Sequence, residues 1–334
     1  MSRPVAVISG VTGMTGNETA RQLLGNGYEV FGFDNFFASS IASVQDLLPD
    51  PAFHFHDADL RDEAAMSRLA AEATTAPSVE QSFIHCAAVV HTKHFYVPSA
   101  TFDVNVIGTR DFLELAIRSG ARTFLNCSTS EVYSLRSWAE GGVHESDTLA
   151  LSTAETSQRT SYATGKLLTE FLLREAVEQG RIRGCSIRFA NVYSAEEEMP
   201  LHIIPYAIES LLDGGEVQLL ENARTTRRSF LHNHDSCSAV IALLEHPDAL
   251  DGSIYNVGTR EEIEIVELVR LIARELGRPE PDIRFCGQRT SDPPRRLLNT
   301  DKLREATGWE PKISLVEGLR GCIEVRRRRR ANGE

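Results

Sequence analysis

Residues 5–16 read Val-Ala-Val-Ile-Ser-Gly-Val-Thr-Gly-Met-Thr-Gly, and the reading of this stretch decides the fold. Val5–Ser9 is a run of mostly branched apolar residues with the character of a buried strand. Gly10, Gly13 and Gly16 follow at three-residue spacing, and the amphipathic pattern over Glu18–Leu24 predicts a helix. A strand that turns through glycines into a helix lets the backbone approach a pyrophosphate. The phosphate charge then lies over the helix N-terminus, here at Met14 and Thr15. The spacing is G-x-x-G-x-x-G rather than the general G-x-G-x-x-G, and glycine triplets alone also arise in structural turns.

The rest of the first half repeats this rhythm. Glu29–Phe33, Ala52–Phe55, Ser82–His85, Thr123–Cys127 and Cys185–Phe189 read as strands, and Ala64–Ala71 and Phe102–Arg118 as helices. Strand, helix and strand in succession imply right-handed parallel crossovers. The expected fold is α/β, a doubly wound parallel (Rossmann-type) sheet with a smaller C-terminal α/β substrate lobe. We expect a cofactor domain over 1–190 and a lobe over 191–325 with some segments returning to the first domain. An Arg-rich tail over 326–334, five consecutive arginines among it, is expected to be frayed and solvated. Within the lobe, Val266–Leu276 reads as a helix capped by Gly277.

The second strand ends at Asp34, with Asn35 beside it. An acid there accepts hydrogen bonds from both ribose hydroxyls and repels a 2′-phosphate, which favours NAD over NADP. Asp59 and Leu60, after the third strand, are candidates for the adenine edge. Ala87 and Ala88, after the fourth, are candidates for the pyrophosphate, although plain close packing also selects alanine.

Two stretches carry the chemistry. Thr129, Ser130 and Glu131 follow the fifth strand, where ligands sit in doubly wound sheets. Tyr162 and Lys166 are four residues apart in a helical pattern and share one face. A phenol titrates near pH 10, roughly, and a neighbouring ammonium together with a cationic nicotinamide favours the phenolate. Tyr162 is thus a candidate base, and Lys166 a candidate partner of the nicotinamide ribose.

The 334 residues bear 35 Lys and Arg against 47 Asp and Glu, a formal charge of −12, with 42% hydrophobic and 25% charged residues. This is an ordinary globular mixture, and its acidity argues against nonspecific nucleic-acid binding. No stretch approaches the roughly 20 apolar residues of a membrane-spanning helix. Met1-Ser-Arg-Pro4 runs directly into the first strand, so we expect a cytoplasmic chain and no membrane partner. The six cysteines stand singly, without C-x-x-C or zinc-finger spacing, and are expected to be reduced thiols with no structural metal.

Taken together, these motifs resemble the extended short-chain dehydrogenase/reductase family, in its NAD-dependent nucleotide-sugar epimerase/dehydratase branch. Further matches are His85-Cys-Ala-Ala88, Asn105-Val-Ile-Gly-Thr109, Val132-Tyr133, Asn191-Val-Tyr193, Arg228-Ser-Phe230, Asp235, Asn256-Val-Gly258 and Gly308-Trp-Glu-Pro311. The resemblance implies a bound NAD, with Asn105 among its neighbours, and a nucleotide-diphosphate sugar as substrate. It implies that Tyr162 takes the proton of the sugar 4-hydroxyl, while Thr129 hydrogen-bonds the same oxygen and Lys166 assists. Asn191, Arg228, Arg289 and Arg296 are the implied substrate contacts. The implied homodimer pairs the Phe102–Arg118 and Tyr162–Glu178 helices, with Val104, Ile107, Phe112, Leu115, Leu168, Phe171 and Leu172 as apolar surface.

In this family a carboxylate at the position of Glu131 favours chemistry at carbon 5 or 6, either 4,6-dehydration or uronate decarboxylation. Ser130 stands where many dehydratases carry an aspartate. A 4-epimerase is the alternative, as is a free-ketone reductase that consumes its cofactor. From another class, a non-catalytic NAD-binding regulatory protein is the competing reading, although such proteins typically lose Tyr or Lys. Ser134 replaces the usual glycine, and Ser194-Ala-Glu-Glu-Glu198 replaces the expected Gly-Pro, so sugar specificity stays open.

Overall fold

The computed structural model describes residues 3–74, 80–90, 97–134, 141–155, 157, 160–197, 202–287 and 293–333. The first half runs β1 (Val5–Ser9), α1 (Met14–Gly25), β2 (Glu29–Asp34), β3 (Phe53–Asp57), α2 (Glu63–Ala73) and β4 (Gln81–His85). It continues with α3 (Pro98–Thr101), α4 (Thr109–Arg118), β5 (Thr123–Thr129), α5 (Thr160–Glu178) and β6 (Arg183–Phe189). Every strand expected from the sequence forms. The expected 102–118 helix is a π-helical turn, Phe102–Gly108, running into α4.

The second half adds β7 (Asn191–Tyr193), α6 (Ile203–Leu212), β8 (Val217–Leu219), β9 (Arg227–Arg228), β10 (Phe230–His232) and α7 (Asn233–Glu245). Then come β11 (Asp251–Val257), β12 (Ile263–Glu264), α8 (Ile265–Leu276), β13 (Ile283–Phe285), β14 (Arg295–Arg296), α9 (Asp301–Thr307) and α10 (Leu315–Asn332). Gly277 ends α8 in the left-handed region at φ 70°, as the cap reading required.

Seven strands form one parallel sheet in the order β11-β6-β5-β4-β1-β2-β3. Alternation along β1 decides its two faces. Val5 and Val7 pack with Leu69 of α2, Phe112 of α4 and Leu173 of α5. Ala6 and Ile8 pack with Leu23 of α1 and Val240 of α7 on the other side. A sheet covered on both faces explains why the central strand β1 is apolar at nearly every position and buried throughout. Because β1 has β2 on one flank and β4 on the other, the winding reverses there and leaves a crevice at the C-terminal strand ends. Gly10, Ala87 and Thr129 all follow or end those strands.

A separate core holds the lobe together, with Ile208 of α6, Leu268 and Ile272 of α8 and Leu319 of α10 packed around β8. The chain returns to the large sheet through α7 and β11.

The arginine run departs from expectation. Arg326–Arg330 continue α10 instead of fraying. Arg329 pairs with Glu196 at 2.6 Å, Arg330 with Glu209 at 2.5 Å and with Asp213 at 2.7 Å, and Arg327 donates to the last turn of α8 at the Leu276 carbonyl. Acidic residues on neighbouring elements supply the counter-charge that composition alone does not reveal. Exposed pairs of this kind contribute roughly 0.2–1 kcal/mol each. Truncation after Val325 is therefore expected to lower stability by about 1–2 kcal/mol in chemical denaturation. An unchanged denaturation midpoint would restore the frayed-tail reading.

Candidate active site

At the crevice Gly10 adopts φ 70°, and a Cβ there would lie 2.7 Å from the Ala87 nitrogen. At Gly16 a Cβ would lie 2.1 Å from the Gly10 carbonyl oxygen. Both positions exclude any side chain, so the loop is pressed against the β4 end and onto its own helix. Gly13 caps α1 without a side-chain hydrogen bond, and the first turn, with Met14 and Thr15, holds no acid. The uncapped amides and the helix dipole therefore suit a phosphate.

Asp34 ties this loop to the next. One carboxylate oxygen accepts from the Thr12 amide at 3.2 Å and the other from the Phe36 amide at 2.9 Å. Asn35 donates to Asp59 at 2.9 Å, so the β2 and β3 ends are joined. The Arg61 guanidinium beside Asp59 holds its carboxyl well below the usual carboxylate range. The Leu60 side chain is buried against Gly108, which leaves only its backbone for an adenine contact. Ala87 and Ala88 are half-buried, and the Ala87 backbone lies against Gly10. These small residues, the bare helix start and the acid after β2 fit a dinucleotide.

Asn105 holds the backbone of Val89. Its oxygen accepts from the Val89 amide at 2.7 Å and its nitrogen donates to the Val89 carbonyl at 3.3 Å. It braces the loop after β4.

At the chemical end Thr129 closes β5, and its hydroxyl accepts from the Glu131 amide at 3.2 Å. Tyr162, in the first turn of α5, is buried to 8% exposure. One turn on, Lys166 donates from Nζ to the Cys127 carbonyl at 2.8 Å, directly under the β5 end. Burial pushes the Lys166 ammonium down and holds the His85 imidazole well below its ordinary value. His85 is enclosed by the Ser9 and Thr109 hydroxyls, each at 2.7 Å.

Glu131 meets Arg296 across the lobe junction, through contacts of 2.6 and 3.2 Å that use both carboxylate oxygens. Arg228 is the register partner of Arg296 in the small β12-β9-β14 sheet, so two buried arginines lie side by side. Asn191 begins β7 and pairs with Phe230. Ser130 is buried beside Glu131. Arg289 lies outside the described residues, as do residues 135–140.

Sequence reasoning missed the polar network beneath these groups. Glu170, one turn beyond Lys166, is forked by Arg188 of β6 at 2.9 and 2.6 Å and accepts from the Ser128 hydroxyl at 2.5 Å. Arg188 also donates to the Tyr133 oxygen at 2.8 Å, and Tyr133 donates to Asn256 at 2.8 Å. Asn256 reaches the Val143 and Asn299 carbonyls, and burial pushes the Tyr133 phenol up to about 12. An arginine between Ile187 and Phe189, inside a strand buried along nearly its whole length, was the available signal.

Comparison with known proteins agrees with this geometry. The model of the NAD dependent epimerase/dehydratase family matches residues 6–258. A UDP-glucuronic acid decarboxylase of Arabidopsis thaliana is 29% identical over 341 residues, covering 98% of this chain and 70% of that protein. A dTDP-glucose 4,6-dehydratase of Actinoplanes sp. is 27% identical over 290 residues, covering 85% of this chain and 82% of the relative. DesIV, the dTDP-glucose 4,6-dehydratase of Streptomyces venezuelae solved with NAD bound, superimposes with a TM-score of 0.85 at 25% identity and covers 98% of each chain. With its glycine loop, its Asp34 and its Tyr162/Lys166 helix in these positions, the chain is an NAD-dependent enzyme that belongs to the epimerase/dehydratase family.

Proposed function

We propose that the enzyme removes carbon dioxide from a nucleotide-diphosphate uronate by way of a 4-keto sugar. When bound, NAD accepts the hydrogen that carbon 4 gives up and later returns it. Tyr162 takes the proton of the 4-hydroxyl, and Thr129 hydrogen-bonds the oxygen as it becomes a carbonyl. Lys166, held from below by the Cys127 carbonyl, keeps a positive charge under the β5 end where that oxygen develops. The ketone is then the electron sink for the carbon-5 carboxylate, whose C–C bond breaks to release carbon dioxide.

One observation carries the choice of decarboxylation, the bidentate pair of Glu131 with Arg296. A dehydration asks the carboxylate at 131 to pull a proton from carbon 5, and a guanidinium forked onto it competes for the same lone pairs. Decarboxylation needs no base at carbon 5, and a guanidinium beside the ring suits a substrate carboxylate. Buried Ser130 gives no acid to protonate a departing hydroxyl. The Arabidopsis relative, named as a UDP-glucuronic acid decarboxylase, supports the same reading. Arg228, next to Arg296 in register, and Asn191 are assigned to the diphosphate and the nucleotide-sugar.

We further assign a homodimer in the cytoplasm. Phe102, Leu168 and Phe171 are 50%, 44% and 62% exposed on the paired helices, a large apolar surface for an acidic protein to leave in water. Phe112 and Leu115 face the sheet instead, so they leave the expected contact set. No described helix is long and apolar enough to cross a membrane, and all six cysteines are free thiols, as suits a reducing compartment.

Incubation with UDP-, dTDP-, GDP- and CDP-linked hexoses and uronates, followed by product mass, tests the reaction. Loss of carbon dioxide from a uronate is the expected result, whereas loss of water or an isomer of unchanged mass would replace it with dehydration or epimerisation. Tyr162→Phe is expected to lower turnover by about 10²–10⁴-fold, read from initial rates, with NAD binding retained. In light scattering, Phe171→Glu is expected to give monomers. A wild-type mass of one chain would end the dimer assignment.

A further inference from the structure

We propose that Cys86 and Cys127 form a redox modification site, a dithiol that a hydroperoxide closes to an intramolecular disulfide at the rim of the dinucleotide crevice. The two sulfur atoms lie 3.5 Å apart. Each residue follows a register pair of neighbouring parallel strands, His85 of β4 against Asn126 of β5. Adjacent strands are spaced about 4.8 Å apart, inside the range of roughly 4.4–6.8 Å that a disulfide spans between Cα atoms. Both side chains point to the sheet face packed by α1 and α7, so rotation about the side chains suffices to join them.

The surroundings divide the roles. Cys86 is half-buried, whereas Cys127 is 7% exposed. The hydrogen bond shared with Cys86 pushes the Cys127 thiol down, and the Lys166 ammonium adds to this. Cys86 is pushed up by the same hydrogen bond and by burial. Burial pushes the Cys185 thiol well up and those of Cys237 and Cys322 to about 12, which marks them as inert. Cys286 is exposed and stands apart.

The chemistry closes without a further reagent. The Cys127 thiolate attacks one peroxide oxygen, forming an S–O bond as the O–O bond breaks, and hydroxide leaves as water after taking a proton. Cys86 then gives up its proton and attacks the sulfenic sulfur. An S–S bond forms, the S–O bond breaks, and a second water departs. Two thiols lose two electrons, and one peroxide becomes two waters.

Closure is expected to act on cofactor binding. It draws the sulfur atoms from 3.5 Å to about 2.05 Å. The same two residues carry functional backbone, since Cys86 precedes Ala87, which leaves no room at Gly10, and the Cys127 carbonyl anchors Lys166. Displacements of ~1 Å in such contacts cost up to about 10²-fold.

The full chain treated with equimolar hydrogen peroxide is expected to lose two hydrogens in intact mass. It is also expected to lose two alkylatable thiols under denaturing conditions and to yield one peptide linking Cys86 with Cys127. NAD affinity should fall, turnover should fall by about tenfold or more, and dithiothreitol should reverse every change. Cys86→Ser and Cys127→Ser should each abolish the linkage, and Cys286→Ser should leave it intact. Peroxide that adds oxygen at Cys286 while Cys86 and Cys127 remain alkylatable would overturn the proposal, as would a linkage between other cysteines. A linkage that forms with unchanged NAD affinity would overturn its effect on the crevice.

Discussion

Glu170 and Arg188 are 2% and 3% exposed in their side chains, and the need to keep these two charges together governs the catalytic end of the molecule. Removing ions from water costs several kcal/mol each even after relaxation, and their attraction offsets this only with good geometry and further hydrogen bonds. Here the fork is bidentate, and Ser128 and Tyr133 supply the additional partners. Glu170 belongs to α5 and Arg188 to β6, so the helix bearing Tyr162 and Lys166 cannot slide along the sheet without stranding a buried charge. Tyr133 and Asn256 extend the constraint to the turn carrying Glu131 and to the segment around Asn299. The register of helix against strand is thus specified by electrostatics as well as by packing.

The second constraint is steric. The glycine loop is held so close to the β4 end that Gly10 and Gly16 admit no Cβ. A helix start left bare of caps and acids then faces the crevice, and the acid at the end of β2 ties the two loops together. Across this crevice the small lobe contributes Arg296 to Glu131, a pair that exists only when both parts of the chain are folded together.

Much of this was legible in the sequence. Strands β1–β6 of the large sheet, α1, α5, α8 and its Gly277 cap all follow from local periodicity and turn chemistry. The candidate positions Gly10, Asp34, Thr129, Tyr162 and Lys166 lie at strand ends and on one helix turn, which spacing alone reveals. Less was readable where a residue's partner lies far along the chain. No local pattern reveals that Asn105 bonds both polar groups of Val89. The arginine run was read as solvated, yet acids at 196, 209 and 213 order it.

The sequence by itself determined the alternation of strand and helix, the parallel winding and the residue types offered to a dinucleotide and a carbinol. These depend on the side-chain periods of strand and helix and on glycine's access to positive φ, which are properties of neighbouring residues. Tertiary structure alone decided that Glu131 meets Arg296, that Glu170 is buried on Arg188 and that two solitary cysteines touch. Such pairings depend on strand register and on which face of a helix is covered, and no local stretch of chain contains that information.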